Sequence, residues 1–302
     1  MKHVAVLMGG WSAEREVSMN SGLACAEALK KSGYQVTPVD VGRNIAETLS
    51  EIKPDVCFNA LHGRYGEDGY IQGLLEIIGI PYTHSGVLAS ALAMDKPVAK
   101  SLFAQAGIPI ADGKVLTRQE IQGGAIYPKP FVVKPLNEGS SVGVTIILED
   151  ENMSLQDLPW TFGEKVLVET FIPGREIQVA VMGDAALGAV EIRPLGRFYD
   201  YEAKYTEGKA EHLMPAPLSE ADYAEALRLA LLAHQTLGCR GVSRSDLRFD
   251  DTGEGAGKFY MLETNTQPGM TSLSLVPEIA GHSGISFEEL VSWIVEDASC
   301  DR

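Results

Sequence analysis

The sequence has few cysteines and no apolar run long enough to cross a membrane. None of its four thiols belongs to a CxxC pair, which argues against a zinc site and favours free thiols in a reducing cytoplasm. The first apolar run, residues 4–8, is too short for the apolar core of a signal peptide and predicts a strand instead. We therefore expect a cytoplasmic protein with no disulfide framework and no membrane partner.

Basic residues are also scarce. The 302 residues include 25 lysines and arginines against 41 aspartates and glutamates, which gives a formal net charge of -16. A field of that sign repels nucleic acid and anionic membranes, so neither is expected as a partner. An anionic ligand must be held by local cations and backbone N–H groups. At this length, with 45% hydrophobic residues, the chain is expected to be globular and to have more than one domain.

The first part of the chain alternates strand and helix patterns, which predicts a parallel α/β sheet. The predicted strands are residues 4–8, 35–41 and 55–61, with a further strand starting at 79–83, and the predicted helices are 17–31 and 70–78. Ligands of such sheets bind at the carboxyl ends of the strands. Two unusual loops, residues 9–16 and 62–69, follow strands there.

After a predicted helix at 95–106 the pattern changes to successive strands, which indicates a mostly antiparallel α+β region. The predicted strands are 131–136, 142–148, 166–172, 176–182 and 186–192. Ser219 is expected to cap a helix that ends near residue 237, and a last helix is predicted at 287–296.

Two alternating stretches, residues 241–249 and 259–265, flank a turn-rich segment and predict a β-hairpin. Glu263 and Asn265 share a face of it, and Asp246 can converge on the same face. Two carboxylates and an amide oxygen form the kind of oxygen site that holds Mg²⁺ against phosphates. The alternative is an ordinary hairpin with a solvated acidic face, which the hairpin by itself favours.

Three further segments have a chemical and a plain structural interpretation. Lys134, in an apolar strand before the small-residue loop 137–143, is suited to binding phosphates, together with the N–H groups of that loop. The loop lacks a Walker A pattern, and the alternative is a flexible turn beside a solvated lysine. Glu169 and Glu176 suit an adenine and a ribose, or lie on an edge strand. The stretch 198–213 is either a lid or a surface loop. A fourth segment, the loop 265–275, offers N–H groups for an oxyanion hole.

Together, several motifs resemble those of the D-alanine–D-alanine ligases of the ATP-grasp superfamily, over nearly the whole length. These motifs are residues 9–18, 61–69, 90–96, 133–135 with 138–143, 199–205 and 263–271. The resemblance implies an N-terminal parallel α/β domain (1–93) followed by a two-part ATP-grasp (94–180 and 181–302). It also implies a homodimer that uses ATP and two Mg²⁺ or Mn²⁺ ions to join two D-alanine molecules through an acyl phosphate, for peptidoglycan precursors.

The resemblance also assigns roles to residues. For the first D-alanine it implies Glu14, His62, Arg244 and the Gly269 N–H, and for the second Ser274 and Leu275 under a closing Lys204 and Tyr205, with Ser140 linking Glu14 to Tyr205. For ATP it implies Lys96 and Lys134 at the phosphates, Glu169, Ile172 and Glu176 at adenine and ribose, and further contacts from Ser141, Thr170 and Leu262. For the metals it implies Asp246, Glu263 and Asn265.

Two positions depart from the family pattern: Thr170 stands where many relatives carry lysine, and Gln267 where a serine is common. The alternatives are a D-alanine–D-lactate ligase, an ATP-grasp ligase for another carboxylate, and an ATP-binding regulator without turnover. Arg244 likewise has two interpretations, a donor to the reacting carboxylate or a structural ion pair with an acidic neighbour.

Overall fold

The structure is a computed structural model that describes residues 1–137, 139, 143–158, 163–195, 208–253, 255, 257–271 and 274–300. Within these ranges, no helix combines the length and the apolar character that a membrane crossing needs.

The N-terminal part forms a three-stranded parallel sheet in the order β2-β1-β3. Its strands are β1 (His3–Met8), β2 (Gln35–Asp40) and β3 (Val56–Asn59), and the helices that follow them are α1 (Arg15–Lys31), α2 (Ile45–Ile52) and α3 (Tyr70–Ile78). The apolar face of α1 is buried against the sheet, with Leu29 fully buried. The predicted parallel α/β sheet is confirmed.

The strand predicted to start at 79–83 does not form, and that prediction is wrong. Only Tyr82 makes isolated bridges, to Cys57 and to Ser299. The backbone turns directly afterwards, because His84 has a φ of 66°, in the left-handed region. Pro81 also lacks the N–H that a continuing ladder needs.

The middle of the chain forms a four-stranded antiparallel sheet in the order β4-β7-β5-β6. Its elements are β4 (Gly113–Thr117), β5 (Phe131–Pro135), β6 (Thr145–Ile147) and β7 (Lys165–Thr170), preceded by helices α4 (Val87–Met94) and α5 (Lys96–Gln105), with α6 (Arg118–Gln122) and a 3₁₀ turn at Leu155–Asp157 between strands. Asp95 caps α5 by accepting from the Val98 N–H at 3.1 Å.

A five-stranded sheet in the order β10-β9-β8-β11-β12 follows, antiparallel throughout. Its strands are β8 (Arg175–Met182), β9 (Ala185–Pro194), β10 (Ala210–Leu213), β11 (Val242–Asp250) and β12 (Lys258–Asn265), and the accompanying helices are α7 (Glu220–Leu237), α8 (Leu275–His282) and α9 (Phe287–Glu296). Ser219 caps α7 as predicted. Of the predicted lid, residues 208–213 are described and end in β10.

One buried apolar cluster joins the parallel sheet to the C-terminal helices. Leu29 and Phe58 share it with Ile279 of α8 and Ile294 of α9. This packing brings the loops after β1 and β3 next to the loop that follows β12. The three-domain division stays a prediction; its boundary at 93 falls in α4 and its boundary at 180 falls in β8.

Candidate active site

A cleft of about 450 Å³ lies between the four-stranded and the five-stranded sheets. That size is in the range of small-molecule sites. The sequence-predicted residues that line it are Lys96, Lys134, Glu169, Thr170, Ile172, Glu176, Asp246, Leu262 and Glu263. The described nucleotide residues and two of the metal ligands that the sequence predicts therefore face one cleft.

Glu169 sits between two lysines at one wall of the cleft. It is 1% exposed, and its carboxylate pairs with Lys134 Nζ at 2.8 Å and with Lys100 Nζ. Burial works to raise the pKa of Glu169, but the two ammonium groups together outweigh it and hold that pKa below its usual range. Burial lowers the pKa of Lys100, against the opposing effect of Glu169. The cluster carries a net single positive charge when all three groups are ionised.

Arg248 organises the other end of the cleft. Its Nε donates to the Ile172 carbonyl at 3.1 Å and its Nη2 to the Gly174 carbonyl at 2.7 Å. Glu176 lies beside it, with 3.9 Å between Arg248 Nη1 and Glu176 Oε2. Thr170 is tied by its own N–H, which donates to the Asp112 carbonyl at 2.8 Å. The segment after β7 is thus held through its backbone carbonyls at Ile172 and Gly174, and it ends near the carboxylate of Glu176.

The β11–β12 hairpin presents four polar side chains on one face. Arg244 pairs in register with Asn265, and Asp246 with Glu263, before a bulge shifts the register after Asp246. Arg244 donates twice to Asp246, from Nε to Oδ1 at 2.7 Å and from Nη2 to Oδ2 at 3.0 Å. Across the cleft, Lys96 Nζ lies 3.5 Å from Glu263 Oε2. The predicted convergence on one face is present.

The donor set fits a hard divalent cation. Asp246 and Glu263 are directly opposed across an antiparallel pair. Asn265, two residues after Glu263 on the same face, adds an amide oxygen. In the described part of the chain no cluster of three or more histidines, cysteines, aspartates and glutamates is arranged to hold a metal. The hairpin therefore offers two carboxylates and one amide oxygen as candidate ligands for such a cation.

The loops after β1 and β3 form a second group of polar side chains. Glu14, at the N-cap of α1, is buried, and a Cβ at Gly63 would lie 2.5 Å from its Oε2, so glycine is required for this approach. A Cβ at Gly139 would lie 3.2 Å from the same oxygen, which places Gly139, between β5 and β6, against Glu14. His62 is buried, and its Nδ1 lies 3.0 Å from Glu67 Oε1.

The described residues 266–271, after β12, lie beside these side chains. Ser274 is the N-cap of α8, and its Oγ accepts from the Thr271 N–H at 2.9 Å. A Cβ at Gly269 would lie 2.8 Å from Ser274 Oγ, so a side chain there would displace Ser274. The Leu275 side chain is buried in the core, which leaves only its backbone to contact a ligand.

Residues 102–296 match the family model described as the D-ala D-ala ligase C-terminus, and residues 42–85 match the corresponding N-terminus model. The chain belongs to the D-alanine–D-alanine ligase family. The D-alanine–D-alanine ligase of Paramagnetospirillum magneticum is 60% identical over 99% of both chains. That of Rhizobium meliloti is 56% identical over 100% of this chain and 99% of its own.

Solved ligase structures share the fold. The Bacillus anthracis D-alanine–D-alanine ligase complexed with ATP has a TM-score of 0.83 and 29% identity, covering 98% of this chain and 97% of its own. A second structure of a Bacillus anthracis ligase gives 0.82 and 32% over the same shares. The fold is thus that of an ATP-grasp ligase, with a parallel N-terminal sheet followed by two antiparallel sheets that enclose the cleft.

Four residues to which the family resemblance gives roles, Ser140, Ser141, Lys204 and Tyr205, lie outside the described residues. Among the charged residues that were not predicted, Arg248 lines the cleft and Lys100 is buried beside Glu169, which lines it. Lys100 lies one helical turn after Lys96 on α5, and Arg248 lies two residues after Asp246 on β11. Both spacings place them beside predicted residues, but the spacing by itself does not point to a role.

Proposed function

We propose that the chain is an ATP-dependent ligase that joins two D-alanine molecules to give D-alanyl-D-alanine, ADP and phosphate. One observation carries the proposal: the cleft sets Lys134 and Lys96 opposite the carboxylates of Asp246 and Glu263, beside the loops that hold Glu14 and His62. Cations for phosphates and carboxylates for metal ions are what phosphoryl transfer to a carboxylate needs. The identity of the family supports the same activity.

ATP is proposed to occupy the cleft between the two antiparallel sheets. Lys96 and Lys134 bind its phosphates, with Ser141 of the loop between β5 and β6. The segment at Glu169, Thr170 and Ile172 binds the adenine, Glu176 the ribose, and Leu262 packs against the nucleotide. The volume and the charge of the cleft support this placement.

Asp246, Glu263 and Asn265 are proposed to hold two Mg²⁺ or Mn²⁺ ions. When bound, such ions neutralise the charge of the phosphate groups of ATP. The chain's own contribution is to keep three oxygen donors on one face of the hairpin, two of which, Asp246 and Glu263, line the cleft.

The first D-alanine is proposed to lie between Glu14, His62, Arg244 and the Gly269 N–H. Glu14 holds its ammonium group, while Arg244 and Gly269 donate to its carboxylate. ATP converts that carboxylate into an acyl phosphate, because a free carboxylate reacts too slowly with an amine. As the tetrahedral stage forms, the same donors stabilise the oxygen that gains charge, and phosphate then leaves.

The second D-alanine is proposed to bind at the N-terminus of α8. The Ser274 hydroxyl and the Leu275 N–H bind its carboxylate, which suits the positive end of a helix dipole. Lys204 and Tyr205 close over it. Its amine then attacks the acyl carbon. The amine either enters neutral or loses a proton to Tyr205 or to Ser140. Ser140 is also proposed to link Glu14 to Tyr205.

The product is proposed to serve the synthesis of peptidoglycan precursors in the cytoplasm. The protein is proposed to be a homodimer, each subunit having domains at 1–93, 94–180 and 181–302. Size-exclusion chromatography with light scattering measures the oligomeric state. A monomer at working concentration would contradict the dimer.

Phosphate release tests the proposed activity. The purified chain with ATP and Mg²⁺ is given D-alanine, D-lactate with D-alanine, or L-alanine, and the product is identified by mass. Release that depends on D-alanine, with D-alanyl-D-alanine as the product, is expected. A depsipeptide as the main product would identify a D-alanine–D-lactate ligase, and ATP binding without turnover for any carboxylate would identify a regulator.

A further inference from the structure

Gln267 is a buried glutamine in the loop that follows β12. It is 2% exposed and lies midway between Asn265 and Gly269. Its N–H donates to Asn265 Oδ1 at 2.9 Å. A primary amide that is taken out of water needs partners for both its oxygen and its nitrogen, or it destabilises the fold.

Those partners lie 206 and 208 positions away in the sequence, at the end of β3. Gln267 Nε2 donates to the Leu61 carbonyl, and Gln267 Oε1 accepts from Asn59 Nδ2. Asn59 is itself held in place, since its Nδ2 also donates to the Gly66 carbonyl at 3.0 Å and its Oδ1 accepts from the Leu61 N–H at 3.2 Å. The side chain of Gln267 therefore ties the loop after β12 to the residue that directly precedes His62.

A second tie lies on the other side of Gly269. The Met270 N–H donates to Ser21 Oγ at 3.3 Å, and Ser21 Oγ lies 3.2 Å from His62 Nε2. Gly269 is thus bracketed by two attachments, one at each side, and both lead to the neighbourhood of His62. The orientation of the Gly269 N–H depends on both attachments.

We infer that Gln267 is a positioning residue for the first D-alanine: by binding Leu61 and Asn59, it fixes the Gly269 N–H relative to His62 and Glu14. This inference rests on the proposed function. A side chain at 267 must reach β3 with a donor and an acceptor on the same planar group. Glutamate lacks the donor and serine is too short, so the amide is specific to this pair of partners.

The test compares Gln267→Met with Gln72→Met. Gln72 is a matched control, because it is 1% exposed and its Nε2 donates to the Gly66 carbonyl of the same network at 2.8 Å, while its Oε1 has no hydrogen-bond partner in the described part of the chain. Both variants keep side-chain volume and remove the amide. The measurements are kcat/KM for the first D-alanine, KM for ATP, the melting temperature, and hydrogen exchange of the Met270 amide.

For Gln267→Met, kcat/KM for the first D-alanine should fall on the order of 10–100-fold, as when a supporting hydrogen bond behind a binding group is removed. KM for ATP should stay unchanged and the Met270 amide should exchange faster. Gln72→Met should lower the melting temperature while leaving both kinetic constants and Met270 exchange as in the unaltered chain.

Equal behaviour of the two variants, with early melting and normal use of D-alanine, would show that Gln267 is only structural. If Gln267→Met does not fold, Ser21→Ala tests the second attachment, that of the Met270 N–H. An unchanged kcat/KM for the first D-alanine in Ser21→Ala would contradict the inference that the two attachments position Gly269. If the unaltered chain does not ligate D-alanine, the proposed function fails. Hydrogen exchange of the Met270 amide in the variants then tests by itself whether Gln267 holds the loop around Gly269 in place.

Discussion

Arg244 and Asp246 lie two residues apart on β11 and form a two-point ion pair, with distances of 2.7 and 3.0 Å between their paired atoms. Asp246 is only 4% exposed, so this pair is largely removed from water. The same two side chains are proposed to bind the reacting carboxylate and the metal. The two interpretations of Arg244 from the sequence, an ion pair and a donor to the carboxylate, are therefore compatible with each other.

Arg244→Ala is expected to lower turnover by roughly two to three orders of magnitude, because a donor to the developing oxyanion is lost. It should also lower the free energy of unfolding, by up to about 3–5 kcal/mol, since Asp246 keeps a buried charge without its partner. Phosphate release and urea unfolding measure the two effects separately.

Two further variants separate the roles of Arg244. Arg244→Met combined with Asp246→Asn should regain most of the lost stability without regaining turnover, because no charge is left unpaired. Arg244→Lys keeps a charge near Asp246 but cannot copy the planar fork of donors. Near-normal turnover of Arg244→Lys would contradict the proposed two-point donor.

Glu263→Gln tests the metal set. The variant should fold and should lose turnover by orders of magnitude, because one of the two carboxylates opposed across the hairpin becomes a neutral amide. Higher Mg²⁺ or Mn²⁺ should restore part of the rate. Asp251→Asn, in the exposed turn of the same hairpin, is the control and should keep normal metal dependence. Normal turnover of Glu263→Gln at low Mg²⁺ would remove the metal assignment.

The hairpin was predictable because strand alternation alone puts residues 244 and 246, and residues 263 and 265, on shared faces. The bulge after Asp246 was not, since no turn residue marks it. Helix α8 was also missed, because its first residues continue a small-residue loop that predicts no helix. The strand expected at 79–83 failed where the left-handed His84 ends the extended chain.

The site was predictable where its residues fall in local motifs, and not where distant segments meet. Lys100 is a full helical turn from Lys96, but a lysine at that spacing is most often solvated, so only the position of Glu169 on β7 gives it a role. The contacts of Gln267 with Asn59 and Leu61 are encoded by no local pattern, because they depend on how the parallel sheet packs against α8 and α9.

Lys100→Met is expected to raise KM for ATP on the order of tenfold, because Glu169 and Lys134 then neutralise each other and the phosphates lose a net positive charge. KM for D-alanine should change little. Lys165→Met, on the exposed start of β7, is the matched control. Equal KM values for ATP in the two variants would show that Lys100 only fills space beside Glu169.

The stability of the chain should fall as the pH drops from neutral, because two histidines are buried in their neutral form. Burial lowers the pKa of His84 to about 3 and that of His234 to about 4, where His234 Nδ1 lies 2.7 Å from Ser243 Oγ. Since the unfolded chain has the ordinary histidine pKa near 6.5, it takes up protons below that pH that the folded chain refuses. The stabilisation is thus complete above about pH 6.5 and is lost progressively toward the folded pKa values, by about 1.4 kcal/mol per pH unit for each histidine.

Urea unfolding between pH 7.5 and 5.0 measures this slope. In that window the carboxyls of Glu169 and Glu191 stay ionised, because their lysine and arginine partners hold both pKa values below the usual range against the effect of burial. His234→Gln should flatten the slope, since an amide can still pair with Ser243 but takes up no proton. His282→Gln, at an exposed position on α8, should leave the slope unchanged. A slope that His234→Gln and His282→Gln alter equally would mean that burial of His234 is not its cause.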